Sequence, residues 1–432
     1  MKEKALSALK HLGWGIRLGL AVLAILPILL FMVWFNYTVD RSGLFQGDVT
    51  VREVAAQLLS GHDLSGYEKM DDRALAKLVV QQMETAPNTV ALGSSRILQM
   101  TGAVAGTNDF FNFGMVGADF YDVLGTFYLF VQEDKLPQNV IIGLDPWLLN
   151  DSADATDFRS DKNMYAEFLS LCLGEDADYE IADETAKWEA LISPSYFQGN
   201  WEYYNRDKST ETAFASVSGS AYANNLSEIK NSDGSVHYTA AMRNQSIADI
   251  ANSAVEQAGT FLHCIDYEAP STVRVRLLGK YIKYMQSLGI NVYIVLTPYH
   301  PYMYEYALTY PDRFTGFLRT ESIVRRLAAK YEVPVYGSYS PYLLDSVDAA
   351  DFYDGLHCTP TCIAKFWPGI HQAAANAADG INPADALTDT VDNHIYAELL
   401  LRCGEKVARE LEKSLPLTVT ESAPEITEKS KA

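Results

Sequence analysis

The sequence predicts an α/β fold built on a parallel sheet and preceded by one N-terminal transmembrane helix. Between residues 88 and 337, short apolar runs alternate with longer segments of helical apolar spacing. Strands that alternate with helices indicate βαβ units and therefore a parallel sheet. The 432 residues are 48% hydrophobic and 21% charged, a balance typical of a globular protein.

An apolar run from Leu18 to Val39 contains no charged residue. It is long enough to cross a bilayer, since about 20 helical residues span the hydrocarbon core. Basic residues cluster on its N-terminal side, with Lys2, Lys4, Lys10 and Arg17 before the run and only Arg41 close behind it. The positive-inside rule therefore predicts a single-pass protein of the cell membrane, with the N-terminus cytoplasmic and the rest outside. A cleaved signal peptide is the alternative, but bulky or polar residues at 35–37 favour an uncleaved anchor.

Five apolar runs predict the strands of the sheet, at residues 89–93, 109–114, 139–145, 291–298 and 333–337. Helical spacing predicts helices over residues 70–85, 119–134, 271–290 and 321–332. Polar residues dominate positions 151–260, which we interpret as an insertion that holds its own helices. The predicted domains are a cytoplasmic N-terminus (1–17), a transmembrane helix (18–39), one extracytoplasmic domain (40–413) and a disordered tail (414–432).

The five cysteines are few and widely spaced, which does not indicate a disulfide framework. Cys358 and Cys362 stand four residues apart and follow His357. A zinc site needs further ligands, and the chain has neither an HExxH motif nor paired CxxC motifs to supply them. We therefore predict no metal and no cofactor, and interpret these two cysteines as buried thiols.

Polar residues and glycines follow the predicted strands at the edge where ligands bind in a parallel sheet. Ser95 follows the first strand and Gly117 the second. Near the end of the domain, Asp354 and His357 stand three residues apart. A serine nucleophile needs a histidine base, which in turn needs an orienting carboxylate. The sequence offers all three groups.

These residues resemble the motifs of the SGNH/GDSL hydrolase superfamily. Residues 93–95 (GSS) resemble its G-x-S block, residues 112–117 its N-x-x-x-x-G block, and residues 354–357 its D-x-x-H block. The resemblance implies a flavodoxin-like, three-layer α/β fold. It also implies that Ser95 is the nucleophile, His357 its base and Asp354 the orienting carboxylate, with backbone N–H groups of Ser95 and Gly117 facing an oxyanion.

The third block of that superfamily, G-x-N-D, has no match here, because the corresponding strand ends Gly143-Leu144-Asp145-Pro146. An ionised Asp145 has no proton to donate to an oxyanion. Either the site uses only backbone donors or Asp145 faces elsewhere. The GSS form with a membrane anchor is similar to a branch that contains D-alanyl-transfer proteins of teichoic acid and alginate acetyltransferase-like proteins. Members of that branch often work beside a membrane-bound O-acyltransferase.

Five residues near the strand ends are candidates for substrate binding: Arg96, Asp145, Trp147, Tyr299 and His300. Each has a structural alternative. Arg96 could instead pair with a core carboxylate, the two aromatic residues could pack in the core, and His300 could be a buried structural histidine. In the insertion, aromatic residues are further candidates for substrate selection: Trp188, Tyr196, Phe197, Trp201, Tyr203 and Tyr204.

The formal charge of −21 argues against nucleic-acid binding, because phosphate contacts need Lys and Arg. With the resemblance, an outward-facing Ser–His–Asp site predicts transfer of an O-acyl group, most simply O-acetyl, onto an envelope polysaccharide. The expected partners are that glycan, the membrane and a membrane-bound O-acyltransferase. Two alternatives stay open: a carbohydrate esterase of the same fold, and a catalytically inactive accessory protein of the acyltransferase system.

Overall fold

The computed structural model describes residues 16, 19, 23, 25–40, 45, 49–66, 70–151, 162–177, 188–205, 215–261, 263–381 and 383–414. Most of the predicted cytoplasmic N-terminus, the first part of the predicted transmembrane helix and the tail after residue 414 lie outside these residues. Among the helices of the described residues, none is both long and apolar enough to cross a membrane. The chain divides into two compact units, one of Met1–Thr50 with Ile181–Thr212 and one of Val51–Glu180 with Ala213–Ala432.

The strands form two sheets, and both sheets lie within the second unit. In chain order the strands are β1 (Leu64–Ser65), β2 (Thr89–Ser94), β3 (Phe110–Met115), β4 (Asn139–Gly143), β5 (Ala215–Ser216), β6 (Ile229–Lys230), β7 (Val236–His237), β8 (Asn291–Leu296) and β9 (Val335–Gly337). The larger sheet has the order β3-β2-β4-β8-β9, and all of its neighbouring strands run parallel. The predicted α/β class and parallel sheet are confirmed.

The helices of the described chain follow in the same order. They are α1 (residues 25–39), α2 (Val49–Leu59), α3 (Asp72–Gln82), α4 (Gly102–Ala105), α5 (Phe120–Gln132), α6 (Lys162–Phe168), α7 (Pro194–Tyr204), α8 (Gly219–Ala223), α9 (Ala240–Arg243), α10 (Ile247–Ala258), α11 (Thr272–Ser287), α12 (Pro301–Thr309), α13 (Pro311–Lys330), α14 (Pro360–Phe366), α15 (Ile370–Ala378), α16 (Pro383–Cys403) and α17 (Glu405–Ser414). All four predicted helices have counterparts among them.

The parallel sheet has an apolar core on each face. Successive residues of β2 alternate between the two cores, because side chains along a strand point to opposite faces. Val90 and Leu92 belong to the larger core, whereas Ala91 belongs to the smaller one. Every residue of β2, β3 and β4 is buried, which explains why these strands read as continuous apolar runs rather than alternating ones.

The predicted insertion holds helices, as expected, but also three short strands. β5, β6 and β7 join β1 in a small antiparallel sheet with the order β5-β1-β6-β7. Each of these strands is two residues long, too short to produce a periodic signal in the sequence. Within the second unit, the loop before β7 reaches the edge of the parallel sheet, where the Asn112 N–H donates to the Asp233 carbonyl at 2.7 Å.

All five cysteines are free thiols in the structure, and Cys358 and Cys362 are buried, as predicted.

Candidate active site

Ser95 lies where β2 ends and the chain enters a short 3₁₀ turn, Ser95–Ile97. Ser94 caps this turn, since its hydroxyl accepts the Arg96 N–H at 3.1 Å. The approach to Ser95 requires glycine at position 93, where φ is +152° and a Cβ would lie 2.6 Å from the Gly143 carbonyl oxygen. The sharp turn therefore presents Ser95 at the carboxyl edge of the sheet, and Ser95 is half-buried there.

The structure brings Ser95, His357 and Asp354 into one hydrogen-bonded chain. The Ser95 hydroxyl lies 2.9 Å from Nε2 of His357, and Nδ1 of His357 lies 2.8 Å from Oδ2 of Asp354. A carboxylate can only accept a hydrogen bond, so Nδ1 carries the proton and Nε2 of the neutral ring is left to accept the serine proton. This is the arrangement of a serine nucleophile with its base and orienting acid.

Asp354 holds its own loop as well as the imidazole. Oδ1 accepts the backbone N–H groups of Leu356, at 2.7 Å, and His357, at 2.8 Å. Burial raises the pKa of Asp354, but the charge and hydrogen bond of His357 and these backbone donors outweigh burial and lower the pKa to about 2. Asp354 is therefore ionised at neutral pH and able to stabilise an imidazolium.

Packing against α10 fixes the position of this loop. The Gly355 N–H donates to the Gln257 side chain at 2.8 Å, and a Cβ at Gly355 would meet that side chain and the backbone of Ala254. The side chains of His357 and Asp354 remain 17% and 12% exposed. The imidazole is thus partly exposed while the loop behind it is packed.

Gly117, the second predicted oxyanion residue, follows β3, the strand that pairs with β2. The register pairs Ser94 with Met115, which places the two strand ends side by side. Gly117 has φ +62°, a conformation that favours glycine. The loop is held from α3, because Asp72 accepts the Val116 N–H at 2.9 Å and Arg73 donates to the Gly117 carbonyl at 3.5 Å.

Arg73 is itself fixed by Asp122 at the start of α5, to which it donates from Nε at 2.8 Å and also from Nη2. Burial and the nearby Asp119 raise the pKa of Asp122 to about 7, although Arg73 opposes the rise. We call Asp72, Arg73 and Asp122 the loop clamp. The sequence analysis did not identify it, because nothing in the spacing of these residues points to the Gly117 loop.

Arg96 and Asp145 form a buried ion pair beneath the site. Their side chains are 1% and 3% exposed, and Nη1 of Arg96 lies 3.0 Å from Oδ1 of Asp145. Arg96 also donates to the carbonyls of Thr297 (2.6 Å), Pro298 (2.7 Å) and Leu356 (3.0 Å). It thereby ties the ends of β2, β4 and β8 to the loop that carries the triad histidine.

This pair decides between the alternatives that the sequence left open. Arg96 pairs with a core carboxylate, and Asp145 is directed at Arg96. Because the two charges compensate each other, Asp145 does not place an unpaired negative charge beside a developing oxyanion.

Trp147, Tyr299 and His300 are also buried, at 2%, 0% and 3% exposure. The indole of Trp147 donates to the Ala118 carbonyl at 3.0 Å and so holds the Gly117 loop from a second direction. The Tyr299 ring lies 3.7 Å from the Arg96 guanidinium carbon. All five residues predicted to contact substrate are buried and support the site in this structure; their contact with substrate stays a prediction.

His300 caps α12, where its Nδ1 accepts the Tyr302 N–H at 3.2 Å. The backbone N–H of His300 donates to the Gly355 carbonyl at 3.1 Å, which adds another support to the triad loop. Burial lowers the pKa of His300, although Asp354 and Glu305 oppose that effect, so the ring is neutral at neutral pH.

Tyr238, which follows β7, completes the surroundings of the triad. Its ring meets the His357 ring edge-on, with centroids 5.9 Å apart, and the Tyr353 ring at 5.1 Å. Together with Leu98 and Val236 these tyrosines form a small apolar cluster. Sequence reasoning missed Tyr238, since it comes from the insertion and carries no motif.

No protein-family model matches this chain, and no curated protein sequence matches it.

Proposed function

We propose that this protein is a membrane-anchored serine acyltransferase that moves an O-acyl group, most simply O-acetyl, onto an extracytoplasmic polysaccharide. The observation that carries the proposal is the hydrogen-bonded chain from Ser95 through His357 to Asp354, with distances of 2.9 and 2.8 Å. A serine in contact with a correctly oriented neutral imidazole is an activated nucleophile. The partly exposed imidazole leaves room for a substrate.

In the proposed first step, Ser95 attacks the carbonyl carbon of an ester or thioester while His357 takes the serine proton. The backbone N–H groups of Ser95 and Gly117 would donate to the oxyanion of the tetrahedral intermediate. His357 then returns the proton to the departing alcohol or thiol, which leaves an acyl group on Ser95. Ionised Asp354 stabilises the imidazolium throughout.

In the proposed second step, a sugar hydroxyl replaces the leaving group. His357 removes its proton, the oxygen attacks the acyl-Ser95 carbonyl, and Ser95 regains its proton when the C–O bond breaks. No atom or electron is needed beyond the acyl donor and the acceptor. Water in place of the sugar would give hydrolysis, so acceptor access decides between a transferase and an esterase.

The order of the site residues along the chain supports an SGNH-like fold. The nucleophile follows β2 at the carboxyl edge of a parallel sheet, the Gly117 loop follows β3, and the Asp–His pair comes after β9. Asp145, which pairs with Arg96, stands where the superfamily has the asparagine of G-x-N-D. We infer that the oxyanion hole of this protein relies on backbone donors held by the loop clamp and Trp147.

The proposed location rests on the apolar run before residue 40. In the described part of that run, residues 25–39 are helical, and large apolar side chains such as Ile28 and Leu30 are 67% and 58% exposed. With basic residues before the run, this supports a cytoplasmic N-terminus and a catalytic domain outside the membrane. A membrane-bound O-acyltransferase is the proposed supplier of the acyl group.

Acceptor-dependent turnover tests this function. The full chain in detergent is given p-nitrophenyl acetate with and without an oligosaccharide acceptor, and the products are examined by mass spectrometry. A transferase produces acetylated oligosaccharide, and Ser95→Ala produces none. Free acetate at a rate independent of acceptor would support the esterase alternative, and no turnover with any donor would support the inactive accessory protein.

A further inference from the structure

The first unit pairs helix α1 with residues that lie about 160 positions further along the chain. These are residues 188–205, which contain α7 and which we call the aromatic segment. We propose that the aromatic segment lies in the outer headgroup region of the bilayer, packed on the end of the membrane anchor, with its exposed rings in contact with lipid. The inference rests on the proposed anchor and is independent of the acyl-transfer chemistry.

Ring packing joins the aromatic segment to α1. The Phe35 ring lies 5.2 Å from Phe197, 5.5 Å from Trp201 and 5.6 Å from Tyr204, measured between ring centroids. Phe31 also meets Phe197, at 6.3 Å. Phe35 is 4% exposed, so this segment covers the side of the helix end that carries Phe35.

Buried hydrogen bonds fix the same contact. Asn36 is fully buried, and its amide nitrogen donates to the Leu191 carbonyl at 2.9 Å. Its amide oxygen accepts from Nδ2 of Asn200 at 3.0 Å. A buried amide is costly unless its hydrogen bonds are made, so these partners select one position of the segment on the helix. The hydroxyl of Tyr196 adds a bond to Asp40 at 2.7 Å.

Large apolar side chains of the aromatic segment nevertheless face outward. Trp188 is 53% exposed, Ile192 57%, Trp201 46% and Tyr204 55%. Trp34 on the adjoining helix is 59% exposed. Soluble surfaces rarely expose such a contiguous patch, whereas Trp and Tyr are favoured where an apolar core meets a wet headgroup layer.

One further feature favours lipid over a second protein as the occupant, and the charge of the segment indicates the kind of lipid. The patch is continuous with α1, whose exposed residues from Ile25 to Leu30 are apolar. The aromatic segment has two acidic residues, Glu189 and Glu202, and no basic residue, so attraction to anionic lipid is not its means of binding. It should therefore bind zwitterionic lipid through its rings.

This placement assigns the aromatic residues of the insertion a different role from the one expected. They were candidates for substrate selection, but Phe197, Trp201 and Tyr204 pack on the anchor helix, and Trp188 and Tyr196 pack on Phe45. The side chain of Tyr203 lies outside the described residues. The segment would then hold the anchor at a defined depth and serve as a second membrane contact.

Tryptophan quenching by brominated lipid tests the proposal. The full chain is reconstituted into phosphatidylcholine vesicles that contain lipid brominated at carbons 6 and 7, close to the headgroups. The Trp14→Phe/Trp34→Phe variant removes the tryptophan before the predicted anchor and the one near its outer end, while Trp147 and Trp367 are each 2% exposed and are not expected to respond. We expect this variant to be quenched, and the quenching to disappear when Trp188→Phe and Trp201→Phe are added.

The matched variant Trp188→Phe/Trp201→Phe, with Trp14 and Trp34 retained, reports on the anchor alone. Quenching in this variant together with none in the Trp14→Phe/Trp34→Phe variant would overturn the inference and leave the anchor intact. That result would mean that water, a second copy or another protein covers the aromatic segment. Neither outcome depends on Ser95, so the acyl-transfer proposal is tested separately.

Discussion

Ser95 is flanked by two loops: the triad loop has local as well as long-range supports, whereas the Gly117 loop is held by residues far away in the chain. On one side, the triad loop is organised by Asp354, which bonds the backbone N–H groups and the imidazole only two and three residues away. On the other side, the Gly117 loop is held by Arg73 and Trp147, which are 44 and about 30 positions distant in the chain. The local bonds of Asp354 fall within one sequence motif, whereas the residues that support a loop from far away in the chain belong to no motif.

The largest expected effect on activity comes from removing a residue of the triad. Ser95→Ala and His357→Ala should each lower turnover by roughly 10⁴-fold, and the double variant should be no worse, since the two groups act as a unit. Steady-state kinetics with an activated ester measure the effect. Ser287→Ala, which removes an exposed hydroxyl at the opposite end of the β8 strand, should retain activity. Independent, multiplicative losses would contradict the shared role.

Breaking the buried Arg96–Asp145 pair should mainly lower the stability of the fold. Arg96→Met leaves Asp145 buried without its partner, and such a change typically destabilises by about 3–5 kcal/mol. Urea unfolding followed by circular dichroism measures the difference. The double variant Arg96→Met/Asp145→Leu should recover part of the loss because no charge is left buried alone. An Arg96→Met protein as stable as the wild type would show that the pair is not a structural tie.

The loop clamp predicts a smaller effect on catalysis. Arg73→Met frees the Gly117 carbonyl, so the proposed oxyanion donor is less well placed and kcat should fall roughly 10-fold to 10²-fold. That is less than the loss of a whole donor, which costs about 10²–10³. KM should change little. Lys77→Met, one turn along α3 on an exposed position, is the matched control. Equal effects from both variants would contradict a role of the loop clamp in catalysis.

The triad loop predicts a pH dependence of stability. Asp354 has its pKa lowered from 3.8 to about 2, and one pKa unit corresponds to about 1.4 kcal/mol. Its ionisation therefore contributes about 2 kcal/mol, present above about pH 4 and lost as the pH falls towards 2. His357→Ala removes the main stabilising partner and should reduce this loss. Urea unfolding at pH 4.5 and pH 2.5 compares the two proteins, and equal losses would contradict the assignment.

The fold was predictable where apolar runs are long and buried. All five strands of the parallel sheet match predicted runs, since strands covered on both faces must be continuously apolar. The antiparallel sheet of two-residue strands gives no such signal. Helix α13 begins at Pro311 rather than near residue 321, and α16 adds Val391, Ile395 and Leu399 to the larger core without a predicted counterpart. These elements depend on tertiary packing that sequence patterns do not encode.

The site follows the same division. Ser95, Asp354 and His357 could be predicted because each lies within a short sequence motif. Arg96 and Asp145 were named for substrate contact, yet their burial as a pair depends on strands that meet only in the folded sheet. Arg73 and Tyr238 were not named, because their partners lie far away in the chain.

Serine-directed labelling tests the central claim most directly. The full chain in detergent is treated with a fluorophosphonate, and the adduct is located by peptide mass spectrometry. We predict one adduct, on Ser95, that is absent from Ser95→Ala and strongly reduced in His357→Ala. A wild-type protein that carries no adduct on Ser95 under these conditions would contradict an activated nucleophile at this site.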